Sequence, residues 1–113
     1  MAGSGSKLKA QRWEEEVLGL FAGVFGRDKV RRGMHYLDGA KCADIITPMF
    51  WSEARAGKRT NARAALQRAT EGSKGKGMYP IAVCKDDGDE AFVTVSLADF
   101  LDLVREWWEL RTQ

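Results

Sequence analysis

Cysteine and histidine are scarce: the 113-residue chain has two of the first and one of the second. Cys42 and Cys84 stand far apart, with no Cys-x-x-Cys spacing and no histidine partner pattern. That spacing speaks against a zinc site or a disulfide framework and for two buried, reduced thiols. His35, being alone, reads as a surface or capped residue. With no Gly-x-Ser-x-Gly or comparable context, it assembles no Ser-His or Cys-His system. Long apolar runs are missing too; none approaches the 18 residues a membrane span needs, so no membrane is expected as a partner. Residues 1–7 lack the apolar core of a signal peptide and read as a flexible tail, and a cytoplasmic location is expected. There is no internal repeat. The acidic run Lys85-Asp86-Asp87-Gly88-Asp89-Glu90 lacks the full ligand series of an EF-hand loop and reads as a solvated hairpin turn.

What is present is ordinary in amount and uneven in placement. Hydrophobic residues make up 44% and charged residues 30%, the balance of a soluble globular protein of one domain, here residues 8–113. Net charge is +2, but residues 1–76 carry 15 Lys and Arg against 8 Asp and Glu (+7), and residues 77–113 carry 3 against 8 (−5). A basic half suggests a polyanionic partner, with solvated surface as the plain alternative.

Periodicity gives the order α-β-β-β-α-β-β-α. Lys7 to Phe25 reads as an amphipathic helix with Trp13, Val17, Leu18, Leu20, Phe21, Val24 and Phe25 on one side, stopped by Gly26. Glu14 falls within that apolar arc, where a carboxylate needs a partner: a metal, solvent or an arginine. Lys29 to Met34 is a strand containing the basic pair Arg31 and Arg32, and residues 37–40 form a turn. Asp44-Ile45-Ile46 is a short strand ended by Pro48, and Phe50 to Arg55 is the next. On that strand Trp51, Glu53 and Arg55 share one face, and Phe50, Ser52 and Ala54 the other. A tight connection between the two brings Asp44 towards Glu53, and two carboxylates beside a fixed cation suit a hard divalent metal.

A helix from Ala62 to about Glu71 follows the basic loop 56–61, capped by Thr60 or Asn61. It is rich in alanine and carries Arg63, Gln67 and Arg68. Ser73 to Gly77, with Lys74 and Lys76, is a basic loop, facing nucleic acid or merely linking. Met78 to Lys85 is a strand whose run Ile81 to Cys84 is buried on both faces. Ala91 to Val95 is another strand. Ser96 and Asp99 form a capping box opening a last helix with an apolar stripe of Leu97, Phe100, Leu101, Val104, Trp107 and Trp108. Most of that stripe reads as core; adjacent tryptophans near the end leave a homodimer contact as the alternative.

Asp44, then Glu53-Ala54-Arg55 after a spacer of several residues, resembles the Asp…Glu-x-Lys signature of the PD-(D/E)xK nucleases. Over residues 8–104 the chain looks most like small phage and archaeal Holliday-junction resolvase-type endonucleases. The resemblance implies an α/β restriction-endonuclease-like fold, a mixed sheet flanked by helices. It implies a DNA endonuclease, phage-type and acting in a bacterial cytoplasm on branched or duplex DNA, working as a homodimer. Mg²⁺, with Mn²⁺ as substitute, would be held by Asp44, Glu53 and the Ala54 carbonyl. Glu14 matches the assisting first-helix glutamate, and Gln67 the helical glutamine near the scissile phosphate or, equally, an exposed helix former. Arg31, Arg32, Lys58, Arg59, Arg63, Lys74 and Lys76 become the DNA contacts. Arg55 stands where the family has lysine. It keeps the charge but stays protonated, so it serves as no general base, although it could still grip a phosphate through two bonds. Lys58 is a substitute if its loop folds back. A nuclease-fold DNA-binding protein without catalysis is the other reading.

Overall fold

A computed structural model describes residues 2–113, with side chains described from Lys7 onward. Helix α1 (Ala2–Phe25) begins within the stretch read as a tail, of which Met1 lies outside the described residues. Its start places Glu14, Glu15 and Glu16 in mid-helix rather than beside the N-terminal dipole. Gly26, at φ 94°, ends it with its N–H on the Ala22 carbonyl, a conformation that a Cβ disfavours. After a single 3₁₀ turn come β1 (Arg31–Arg32), a short α2 (His35–Asp38), β2 (Ile45–Ile46) and β3 (Phe50–Gly57). Helix α3 (Ala62–Gly72), β4 (Tyr79–Asp86), β5 (Phe92–Thr94) and α4 (Leu97–Thr112) complete the chain.

The five strands form one mixed sheet in the order β1-β2-β3-β4-β5. All neighbours are antiparallel except β3 and β4, which run parallel because α3 crosses over between them. The architecture is therefore α/β, a five-stranded mixed sheet with four helices. Helix α1 lays Trp13 and Val17 against Ile45, Ala54, Ile81 and Val83. The Trp13 indole N–H donates to the Val83 carbonyl at 3.0 Å. On the other face α3 packs Ala65 on Ala82 and Cys84, and Ala69 near Trp51 and Ile46. Small alanines let that helix approach closely. Ile81 to Cys84 are all buried, as a central strand covered on both faces requires.

Turn and cap chemistry follows the sequence closely in places. The Asn61 side chain accepts from the Ala64 N–H at 3.0 Å, while Thr60 instead bonds Asp86. Ser96 accepts from the Asp99 N–H at 3.1 Å. Gly33 is required by a close approach: a Cβ there would meet the Ala43 carbonyl oxygen at 1.9 Å.

Other expectations fail too. Residues 35–38 form a helical turn, because the Asp38 carboxylate caps the Met34 N–H and grips Arg31. Leu20 and Val24, assigned to the buried side of α1, lie exposed. Above all, α4 is not core: none of its residues is buried, and it has no extended packing against another element. Among the described residues no helix is long and apolar enough to cross a membrane.

Candidate functional site at the β2–β3 hairpin

The short connection after β2 sets the geometry. Ile45 pairs with Ser52 and Ile46 with Trp51, and the Asp44 N–H donates to the Ser52 carbonyl at 3.0 Å. Asp44 therefore lies beside Glu53, as the spacing anticipates. Glu53 sits on the α3 side of β3 and is fully buried. Between the two acids lies Arg55, from the same face of the same strand. Its Nη1 donates to Asp44 Oδ2 and to the Ala54 carbonyl, both at 2.8 Å, and its Nη2 donates to Glu53 Oε1 at 2.9 Å. The Ala54 N–H also donates to Asp44 Oδ2 at 2.8 Å. Two carboxylates and one carbonyl thus converge on a single cation, and that cation is the guanidinium.

A second arginine, Arg68 of α3, brings its Nε to 2.8 Å of Glu53 Oε1. The spacing that could have found it is helical. Stepping roughly 100° per residue, Arg68 stands about 60° from Ala65, one of the two alanines buried on the sheet. Gln67 stands about 160° from Ala65, and it is exposed. The family-based assignment of Gln67 to the site gives way to its neighbour.

Glu14, half-buried on α1, is engaged by Arg32 at 3.3 Å. Arg31 makes a two-pronged ion pair with Asp38 at 2.7 and 2.8 Å. Both members of the expected DNA-binding pair are therefore held by acids of the chain itself. Lys58, Arg59, Arg63, Lys74 and Lys76 are exposed. They do not form one patch: Lys58 and Arg59 follow the end of β3, whereas Lys76 lies 5.8 Å over the Trp51 ring near its start. The strand between is about 25 Å long. Lys58 does not fold back onto the acids.

The titration behaviour follows from this arrangement. Burial pushes the Glu53 carboxyl up, and the nearby Asp44 charge adds to that, against the pull of Arg55 and Arg68. Glu14 is likewise raised, first by burial and then by Asp44. Burial works against the Arg55 charge, but its bond to Glu53 and the field of Asp44 outweigh it, so the guanidinium holds its proton more firmly than usual. Arg31 holds the Asp38 carboxyl down to about 2.

The donor set has the chemistry of a hard divalent cation, oxygen throughout. One feature suits such an ion: Glu53 Oε2 is buried without a hydrogen-bond partner. Two features oppose it. Among the described residues no group of three or more His, Cys, Asp and Glu side chains could hold a metal. The three acids are also balanced in charge by Arg32, Arg55 and Arg68. The residues fit Mg²⁺ only with Arg55 withdrawn from between them.

Compared with models of known protein families the chain matches none, and comparison with curated proteins gives no significant match.

Proposed function

We propose that the chain is a PD-(D/E)xK-type nuclease, a Mg²⁺-dependent DNA endonuclease acting on branched or nicked DNA in the manner of phage Holliday-junction resolvases. The observation that carries this is the meeting of Asp44, Glu53 and the Ala54 carbonyl around one positive centre. The chain path agrees with it: a helix, antiparallel strands bearing the acids, a helical crossover, and a parallel strand. On this reading Asp44, Glu53 and the Ala54 carbonyl hold the ion, which when bound supplies an activated water and neutralises phosphate charge. Arg55, freed from the acids, has the two-pronged fork that grips a phosphate oxygen pair. Arg68, half-exposed, is the nearest further cation for the same phosphate. The exposed lysines and arginines at the two ends of β3 supply backbone affinity that falls with salt.

The test uses labelled four-way junctions, flaps and plain duplex with Mg²⁺ or Mn²⁺. Metal-dependent cutting by the wild type, lost in Glu53→Ala, is expected. No cutting by the wild type, or equal cutting by Glu53→Ala, overturns the proposal.

One observation favours a second reading, a nuclease-fold DNA-binding protein without catalysis: Arg55 already donates to an oxygen of each of the three groups and cannot act as a base. Arg55→Lys separates the two. Cutting gained by the variant supports the binding protein; cutting reduced from a measurable wild-type rate supports arginine as a working replacement.

A further inference from the structure

Helix α4 is inside out for a helix of a lone domain. Leu97, Phe100, Leu101, Val104, Trp107 and Trp108 recur at intervals of three and four residues, so they share an arc of about 120°. The acids Asp99, Asp102, Glu106 and Glu109 occupy the opposite arc. In the fold the least exposed residues of the helix are Asp99 and Leu103, on the margin of the acidic arc rather than in the apolar stripe. Asp99 and Glu106 line a cleft with Tyr79, Met78 and the glycines of the 73–77 loop. The Tyr79 phenol is pushed up by burial and then by Glu106, Asp102 and Asp99. The apolar arc is left facing away, with Trp107 53% and Trp108 60% exposed.

The size of that arc is informative. The exposed fractions of the six side chains leave on the order of 600 Å² of apolar surface, at or above the largest patch of an ordinary monomer. Two such surfaces brought together bury about 1,200 Å², the lower bound of a specific protein–protein interface. Each surface is one straight stripe on a 16-residue helix, the shape that packs against its own copy along a seam. The acids lie on the arc opposite the stripe, so two stripes meet without bringing like charges face to face. Arg111, stacked on Trp107 at 4.5 Å, lies at the end of the seam, where a charge stays in water.

We infer that α4 is the dimerisation element of this protein: a second copy of the chain covers the stripe, helix on helix, about a two-fold axis. The two domains then stand on either side of the paired helices, with each β2–β3 hairpin site outside the interface. This assignment is independent of the nuclease reading, because it rests on packing alone.

Sedimentation equilibrium of the full chain tests it. At about 50 µM the wild type is expected at twice 12.6 kDa. Val104→Glu, which puts a charge in the middle of the stripe, is expected to run as a monomer. Trp107→Ala, which keeps the helix favourable, is expected to weaken dimerisation on the order of 30-fold, the usual loss for an aromatic anchor. Far-ultraviolet circular dichroism should match the wild type in both, since no residue of α4 is buried in the monomer. A wild type that stays monomeric at this concentration overturns the inference, including one that instead associates with phospholipid vesicles. So does a dimer that both substitutions leave intact.

Discussion

Replacing Arg55 by alanine removes a cation from between two acids, whereas replacing Glu53 by glutamine removes a buried charge from beneath two cations. The two changes should therefore differ sharply in stability. Arg55→Ala deletes three hydrogen bonds at 2.8 to 2.9 Å, two of them to carboxylates. It leaves Glu53, fully buried, with Arg68 alone. Breaking a buried pair in this way costs about 3–5 kcal/mol; with the Arg55 side chain 38% exposed, screening reduces that to about 2–3. Glu53→Gln weakens the bonds to Arg55 and Arg68, but both arginines reach water and rehydrate. The substitution also relieves the burial of an ionised group whose Oε2 has no partner. A loss and a gain of about 1–2 kcal/mol each leave it within about 1 kcal/mol of the wild type. In a domain of this size these become a fall of about 10 °C in Tm for Arg55→Ala and a change under about 4 °C for Glu53→Gln. The double variant should be more stable than Arg55→Ala, since it no longer buries an uncompensated carboxylate. Thermal unfolding by circular dichroism at neutral pH measures all three. If Glu53→Gln loses as much as Arg55→Ala, the Glu53 charge is a net stabiliser, and the description of a cation holding two reluctant acids together is wrong.

The carboxyl of Asp38, held at about 2, favours the ionised form in the fold, so its contribution is complete above the unfolded value of 3.8 and vanishes as pH falls towards 2. Discounted for its exposed partner, it should amount to about 1 kcal/mol, read as a smaller loss of stability on acidification in Asp38→Asn than in the wild type. Glu53 has the opposite sign: its pKa is raised, so its contribution falls as pH rises above 4.5, and Glu53→Gln should gain on the wild type between mildly acid and neutral pH. Gly33→Ala drives a Cβ into the Ala43 carbonyl and should cost several kcal/mol, about 3 or more, in urea unfolding. On the nuclease reading, millimolar Mg²⁺ should raise the Tm of Arg55→Ala more than that of the wild type, because the alanine leaves the oxygen donors uncovered.

Much of this arrangement is written in short-range patterns. The alternation from Phe50 to Arg55 names the face on which Glu53 and Arg55 lie, and the brief connection before it brings Asp44 alongside. Asn61 and Ser96 announce their helices through the bonds that they make. What escapes the pattern is the choice of partner. A charged side chain as long as Arg55 reaches a metal-bound phosphate or its own neighbours equally well, and residue order does not say which. Arg31 and Arg32 read as nucleic-acid contacts because Asp38 and Glu14, their actual partners, are brought to them only by folding. Helix α4 is the same problem for apolar groups. Its stripe is identical whether the surface that covers it belongs to this chain or to another copy.

The arginine at position 55 changes how the site must work if it works on nucleic acid. With lysine, a compact ammonium neutralises one acid at a time. The arginine fork engages Asp44 and Glu53 together and leaves the cluster neutral, three acids to three arginines. A divalent cation entering such a cluster adds two positive charges, so a guanidinium has to leave or an anion has to arrive. Arg68, with its side chain 51% exposed and one contact to Glu53, leaves more readily than Arg55, with three, but Arg55 too must withdraw before an ion reaches all three oxygens. A phosphate accepts the arginines that the metal displaces. Metal and phosphate binding at this hairpin should therefore be coupled, each weak alone. Titrating Mn²⁺ calorimetrically with and without a non-cleavable phosphorothioate duplex should give at least about a tenfold difference in affinity, and equal affinities would show that the arginines do not guard the acids.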